Sequence, residues 1–150
     1  MPTEKTRELD RAVVVSLLKA LDARAAGLWK VEGDALKQIC FVPADDLDAG
    51  TARSFASDTR LVSLAQTNLG IVQAVLKRLP ALSLAADLPA DSGSGLWLRA
   101  FGADLSIAVP LFDRHDSPVR FVLAVALADS NRDVEEVAAA IRTEAKFFGI

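Results

Sequence analysis

The chain is 150 residues long, with 51% hydrophobic and 25% charged residues and a formal net charge of -3 at pH 7. That length suits one domain over 1–150 with a core of its own, and the apolar fraction excludes a disordered chain. The interleaved charge lacks the basic stripe that nucleic acid demands, and no apolar run is long enough to span a bilayer.

The opening residues MPTEKTRELDRAVVV run on into LLKALDAR, which carries further charges. This is the pattern of an amphipathic helix and not of a signal peptide, so a cytoplasmic location is expected. From Thr6 to Arg24, Leu9, Val13, Leu17 and Leu21 repeat every four residues, and Val14 and Leu18 widen the stripe. A stripe this wide exceeds what contact with one layer needs, which predicts a homodimer through the terminal helices.

Ala25-Ala26-Gly27 ends that helix. GLWKV then reads as a strand, with Trp29 and Val31 on one side and Leu28 and Lys30 on the other. Glu32-Gly33-Asp34 supplies a turn, and ALKQICFVP returns as the second strand, stopped by Pro43. The single cysteine, Cys40, excludes an internal disulfide and a CxxC pair, and reads as a buried thiol. Asp45, Asp46 and Asp48 fall in a loop without the glycine and distal glutamate of a calcium loop, so they read as solvated and no metal site is expected.

Thr51 to Thr67 reads as a short helix holding Phe55, Leu61, Val62 and Leu64. Thr67 or Asn68 can cap the next, whose buried side is Ile71, Val72, Val75, Leu76 and Leu79 and whose end is set by Pro80. ALSLAADLP is a brief strand, and Ala90 to Gly95 the most loop-like stretch. LWLRAFGA makes one or two helical turns closed by Gly102.

The centre of the chain is Ala103 to Leu127, two apolar runs around the turn-forming segment Asp113 to Ser117. Leu105, Ile107, Val109 and Leu111 face one way, opposite Ser106, Ala108, Pro110 and Phe112. In the second run Val119, Phe121, Leu123, Val125 and Leu127 share a side, and Val122, Ala124 and Ala126 the other. A strand apolar on both sides belongs in the middle of a sheet covered on both faces. The last helix, Asn131 to Phe148, carries Val134, Val137, Ala138, Ile141, Ala145 and Phe148 on one stripe, with Ser130 and Asp133 fitting a capping box.

This order predicts an α+β fold with a central antiparallel sheet of five to six strands. Numbered as read here, the strands run 2-1-5-4-3, with terminal helices on one face and the crossover helices and lid on the other. Pro110 gives no ladder hydrogen bond, so the strand beside it must already have ended, as the short strand near Ala81 allows.

The strings GLWKVEGDALKQICFVP, NLGIVQAVLKRLPALSLAADLP and FGADLSIAVPLFDRHDSPVRFVLAVAL, in this order of elements, resemble the GAF domain family, whose sheet is PAS/profilin-like. The resemblance spans nearly the whole chain. It implies a sensory or regulatory domain with a small-molecule pocket between the sheet and the crossover segments, dimerisation through terminal helices, and a signalling partner. A bilin-binding member would need a thiol on the crossover side, and a methionine sulfoxide reductase more than one cysteine. The cyclic-nucleotide pattern is not found.

His115, the only histidine, sits in the turn with Arg114, Asp116 and Ser117, and no catalytic set can be built around it, so no enzyme and no cofactor are expected. The ligand-binding candidates are Ser94, in the Gly-Ser stretch where backbone amides could hold an anion, and Trp97, Arg99 and Phe101, able to close over a planar or anionic ligand. The competing readings are a flexible connector, and two aromatics in the core with Arg99 outside. The rival function is a ligand-free assembly scaffold of the profilin or roadblock type. Trp29 reads as core, and Arg53 and Asp87 as bystanders.

Overall fold

The computed structural model describes residues 4–114, 116–129 and 131–146. His115, Ser130 and Phe148, and the side chain of Leu9, lie outside the described residues. The chain forms α1 (Glu4–Ala20), β1 (Ala25–Glu32), β2 (Ala35–Pro43), α2 (Ala49–Asp58), β3 (Leu61–Ser63), α3 (Gly70–Lys77) and β4 (Ala81–Leu84). A 3-10 turn (Ala85–Asp87), α4 (Gly93–Phe101), β5 (Leu105–Leu111), β6 (Phe121–Leu127) and α5 (Val134–Ala145) complete it.

One antiparallel sheet runs β3-β2-β1-β6-β5-β4. The expected order of five strands is present, extended by β3 at the β2 edge. Strand β6 lies between β1 and β5, with Leu28 opposite Leu123 on one side and Val109 opposite it on the other. The ladder with β4 stops at Ala81 opposite Ala108, so Pro110 sits beyond the end of β4, where no amide is needed.

The two faces differ in side-chain size. Towards α1 and α5, Leu28, Leu105, Ile107, Val109, Leu111, Leu123, Val125 and Leu127 pack against Val14, Leu17, Val137 and Ile141. Val13, Val14, Leu17, Leu18 and Leu21 are all buried inside the chain, which takes up the described width of the α1 stripe without a second copy. On the opposite face Trp29, Val62, Ile71, Val72 and Val122 form a second core under α3. Val119 joins this second core, against the expectation that it shares the side of Leu123. The ladder slips just before β6, where the Arg120 amide bonds the Leu111 carbonyl, and the alternation restarts there.

Several boundaries differ from those expected, each for a tertiary reason. The expected helix 51–67 is α2 followed by β3, whose Leu36 to Val62 pairing recruits the apolar pair Leu61-Val62 to the sheet. Neither Thr67 nor Asn68 caps α3. Its N-cap is Leu69, and the hydroxyl of Ser94 accepts the Gly70 amide at 3.0 Å from 24 residues away. α3 ends before Pro80, at Arg78 in a left-handed conformation (φ 57°) with its guanidinium 4.5 Å over the Phe112 ring. β1 begins at Ala25 and not Gly27, because Ala25 and Ala26 pair with both neighbours.

α5 is capped by Asp133, whose carboxylate accepts the Glu135 and Glu136 amides at 2.9 and 3.3 Å, so Asp133 takes the cap position itself and the helix starts later than 131. The loop expected at 90–95 already turns into α4 at Gly93, and Gly102 closes that helix at φ 70° as expected.

Leu123 is fully buried at the centre of the sheet. Leu123→Ala is expected to lower the unfolding free energy by about 2–5 kcal/mol in urea titration, whereas a loss below about 1 kcal/mol would show the position to be poorly packed.

Candidate functional site

The central strands turn small residues towards the crossover segments: Gly27 on β1, Ser106 and Ala108 on β5, Ala124 and Ala126 on β6. Small side chains leave volume above a sheet, and aromatic rings from four elements enter it. Trp29 comes from β1, Phe41 from β2, Phe55 from α2, and Trp97 and Phe101 from α4.

Phe55 is the hub. Its ring lies 4.8 Å from Phe41, 5.0 Å from Trp97, 5.0 Å from Phe101 and 6.2 Å from Trp29, most of these edge to face. Trp97 and Phe101 stack at 6.2 Å, one turn apart on α4. A β-carbon at Gly27 would stand 2.5 Å from Cη2 of Trp29, so only glycine lets that indole lie flat on the strand.

The indole is fixed at its other end. Nε1 of Trp29 donates to the Thr59 carbonyl at 2.8 Å, while Oγ1 of Thr59 donates to the Phe55 carbonyl at 2.7 Å and accepts from Nε2 of Gln38 at 3.1 Å. Thr59 is the one buried polar residue among those described, and every atom it presents is bonded.

What remains open is about 70 Å³. The cavity is lined by aromatic and small apolar groups, with Thr59, Gly70, Ser94 and Ser106 as its polar fringe and no ionisable side chain on its wall. Such a cavity holds a few waters or a ligand of a few heavy atoms, well short of the ~300 Å³ at which drug-sized pockets begin. It offers no group able to exchange a proton near neutral pH and no nucleophile with a base beside it. Among the described residues no three His, Cys, Asp or Glu side chains come together to hold a metal.

Three of the four candidate residues meet here. Ser94, Trp97 and Phe101 line the cavity, and Arg99 does not. The Arg99 guanidinium points away from the cavity, donating to the carbonyls of Gly95 (3.1 Å), Ala85 (2.6 Å) and Leu88 (3.3 Å), which fastens the 3-10 turn to α4. Ser94 spends its hydroxyl on the Gly70 amide and its own amide on the Asn68 carbonyl at 3.1 Å, so the starts of α3 and α4 brace each other.

Two of the loop aspartates have structural partners. Asp48 caps α2 by accepting the Thr51 amide at 2.9 Å, and Asp46 meets Arg24 at 2.6 Å; these contacts hold both carboxyls below the usual carboxylate range. Arg24 also donates to the Phe101 carbonyl at 2.9 Å, tying the end of α4 to this loop. Phe41, Phe55 and Gly27 were not singled out from the sequence as site residues. The available signal was the run of small residues on one side of each central strand, which marks where volume must be supplied from elsewhere.

Cys40 is half-buried against the terminal-helix core, on the face opposite the cavity. Burial pushes its thiol up to about 11, with Asp10 adding to the rise and Arg11 opposing it.

No protein-family model and no curated protein matches the sequence. Solved structures match over almost the whole chain. The GAF domain of a two-component sensor histidine kinase from Bacillus halodurans aligns with a TM-score of 0.60 at 12% identity, over 95% of this chain and 97% of that one. The phycoerythrobilin-bound GAF domain of a cyanobacterial phytochrome aligns at 0.58 and 14%, over 93% and 82%. The fold is that of a GAF domain. The type II free methionine-R-sulfoxide reductase of Thermoplasma acidophilum is also similar, with a TM-score of 0.61 at 17% identity, over 94% of this GAF-like chain and 90% of that one.

A thiol whose folded pKa is raised contributes stability that is complete below its unfolded pKa and is lost as the pH climbs through the folded one. Stability is therefore expected to fall between pH 9 and about 11, and Cys40→Ala to flatten that part of the profile in thermal melts. An unchanged profile would contradict the burial of the thiol.

Proposed function

We propose that the chain is a non-catalytic, cytoplasmic sensory or regulatory domain of GAF type that acts through contact with a protein partner, its pocket being closed by its own aromatic side chains. One observation carries this reading: the space where a ligand would lie, above Gly27, Ala108, Ala124 and Ala126, is occupied by Phe55 and the rings around it, leaving about 70 Å³. Its regulatory character draws on the GAF domains of signalling proteins to which the fold is similar.

The chemistry available supports the absence of catalysis. The thiol of Cys40 is on the wrong face to attach a bilin in the cavity, is the only one in the chain, and is held protonated by burial. Reductase chemistry by thiol exchange asks for a second cysteine. Among the described residues no helix is long and apolar enough to cross a membrane. Along the described side chains of the terminal helices, a dimer would have to use their polar outer sides, since Val13, Val14, Leu17, Val137 and Ile141 are buried within the chain.

A second reading keeps the small-molecule ligand. Trp97 and Phe55 are only partly buried, and they form the outer wall, so rotation of these two rings would enlarge the cavity from the solvent side. Ser94, Trp97 and Phe101 would then contact the ligand, with Arg99 acting only by holding α4 in place.

Titration of tryptophan fluorescence and melting temperature with cyclic nucleotides, amino acids and small anions separates the two. The closed pocket predicts no response to any of them, in the native chain and in Trp97→Ala alike. A saturable response that Trp97→Ala weakens would replace the first reading by the second.

A further inference from the structure

Strand β4 ends the sheet on its side, and its pairing with β5 decides which of its main-chain groups are spare. Ser83 lies opposite Ser106 and Ala81 opposite Ala108, and just beyond them the Ala85 amide donates to the Asp104 carbonyl at 2.8 Å. Main-chain groups alternate in direction along a strand, so Ala81, Ser83 and Ala85 turn towards β5, and Leu82 turns its N–H and C=O outward with the N–H of Leu84, while the Leu84 carbonyl opens the 3-10 turn Ala85–Asp87.

A groove of about 370 Å³ runs along that edge. Gly70, Gln73 and Lys77 of α3 form one bank, and Leu82, Leu84 and Asp87 the other. The lining is mixed, with Leu82, exposed at 45%, beside Gln73, Lys77, Ser83 and Asp87. The strand ALSL carries no charge, proline or bulge of its own, its four-residue length and the preceding Pro80 being what limits pairing at this edge.

We propose that a second copy of this chain docks on this edge, β4 against β4, joining the two sheets across a two-fold axis. Identical strands paired antiparallel are self-complementary, and with Leu82 opposite Leu84 of the second copy, the N–H and C=O of Leu82 and the N–H of Leu84 gain partners in each chain, the Leu84 carbonyl accepting the Leu82 amide on its second lone pair beside the bond it takes in the 3-10 turn. Leu82 and Leu84 share the face that looks towards the terminal helices, where Leu84 already packs against the core. Pairing lays the exposed Leu82 side chain beside Leu84 of the other copy, an apolar cross-strand contact.

The charge at this edge is complementary to itself. Lys77 stands at one end of the groove and Asp87 at the other, both exposed. The antiparallel two-fold brings the Lys77 end of each copy against the Asp87 end of the other, so both ends of the interface carry opposite charges, and a parallel arrangement would set like against like.

The test is the concentration dependence of mass for the full chain by sedimentation, together with hydrogen exchange. A reversible dimer is expected, with amide protection of Leu82 and Leu84 rising as concentration rises. Leu82→Pro removes an outward amide and the Leu82 side-chain contact but no bond to β5, which an edge strand tolerates, and should raise the dissociation constant roughly tenfold or more with the circular dichroism unchanged. Should that variant unfold, Lys77→Glu serves instead: it should weaken the dimer, and Lys77→Glu with Asp87→Lys should restore it. A monomer at every concentration would overturn the proposal, as would a dimer indifferent to these substitutions or one whose protection appears on α1 and α5.

Discussion

The structure depends on an asymmetry in side-chain size across its two central strands. Leu28, Leu123, Val125 and Leu127 on one side build a close-packed layer with the terminal helices, while Gly27, Ala124 and Ala126 on the other leave volume beneath the crossover segments. A protein interior does not keep empty volume of that size without cost, because groups lining a void lose their dispersion partners. Here the volume is taken by five rings anchored in four elements, and Phe55 touches the other four. The crossover helices are thus held to the sheet by the contents of the pocket.

That arrangement couples parts of the chain that are distant in sequence. Thr59 ends α2 and at the same time receives the indole of Trp29 and the amide of Gln38, so the α2 terminus, β1 and β2 share one hydrogen-bonded knot. Ser94 starts α4 and caps α3. Arg24, between α1 and β1, reaches both Phe101 and Asp46. A movement of Phe55 would therefore be felt at α2, α4 and the sheet together.

Much of this architecture was legible in the residues. Both-sided apolarity between Phe121 and Leu127 placed that strand inside a covered sheet, and the proline at 110 correctly implied that β4 stops short of it. Alternation in Leu105 to Leu111 and in Trp29 to Val31 assigned each side chain to its layer. The failures came where the deciding contact is distant. Leu61 and Val62 look helical until β2 is available to pair with them, and Ser94 replaces the local cap that Thr67 or Asn68 would have supplied. Arg99 was a plausible ligand-binding group by composition, yet three carbonyls contributed by the preceding turns claim its guanidinium. Phe41 and Phe55 gave no local sign that they would converge, since one lies on a strand and the other on a helix whose ends were misplaced.

The pocket is filled by the protein itself, and native mass spectrometry of the chain purified from its own host is the decisive test. A mass equal to that of the polypeptide, or twice it, is expected, with no adduct retained under gentle ionisation. A stoichiometric small molecule, released on unfolding and absent from a variant with altered Trp97, would contradict it.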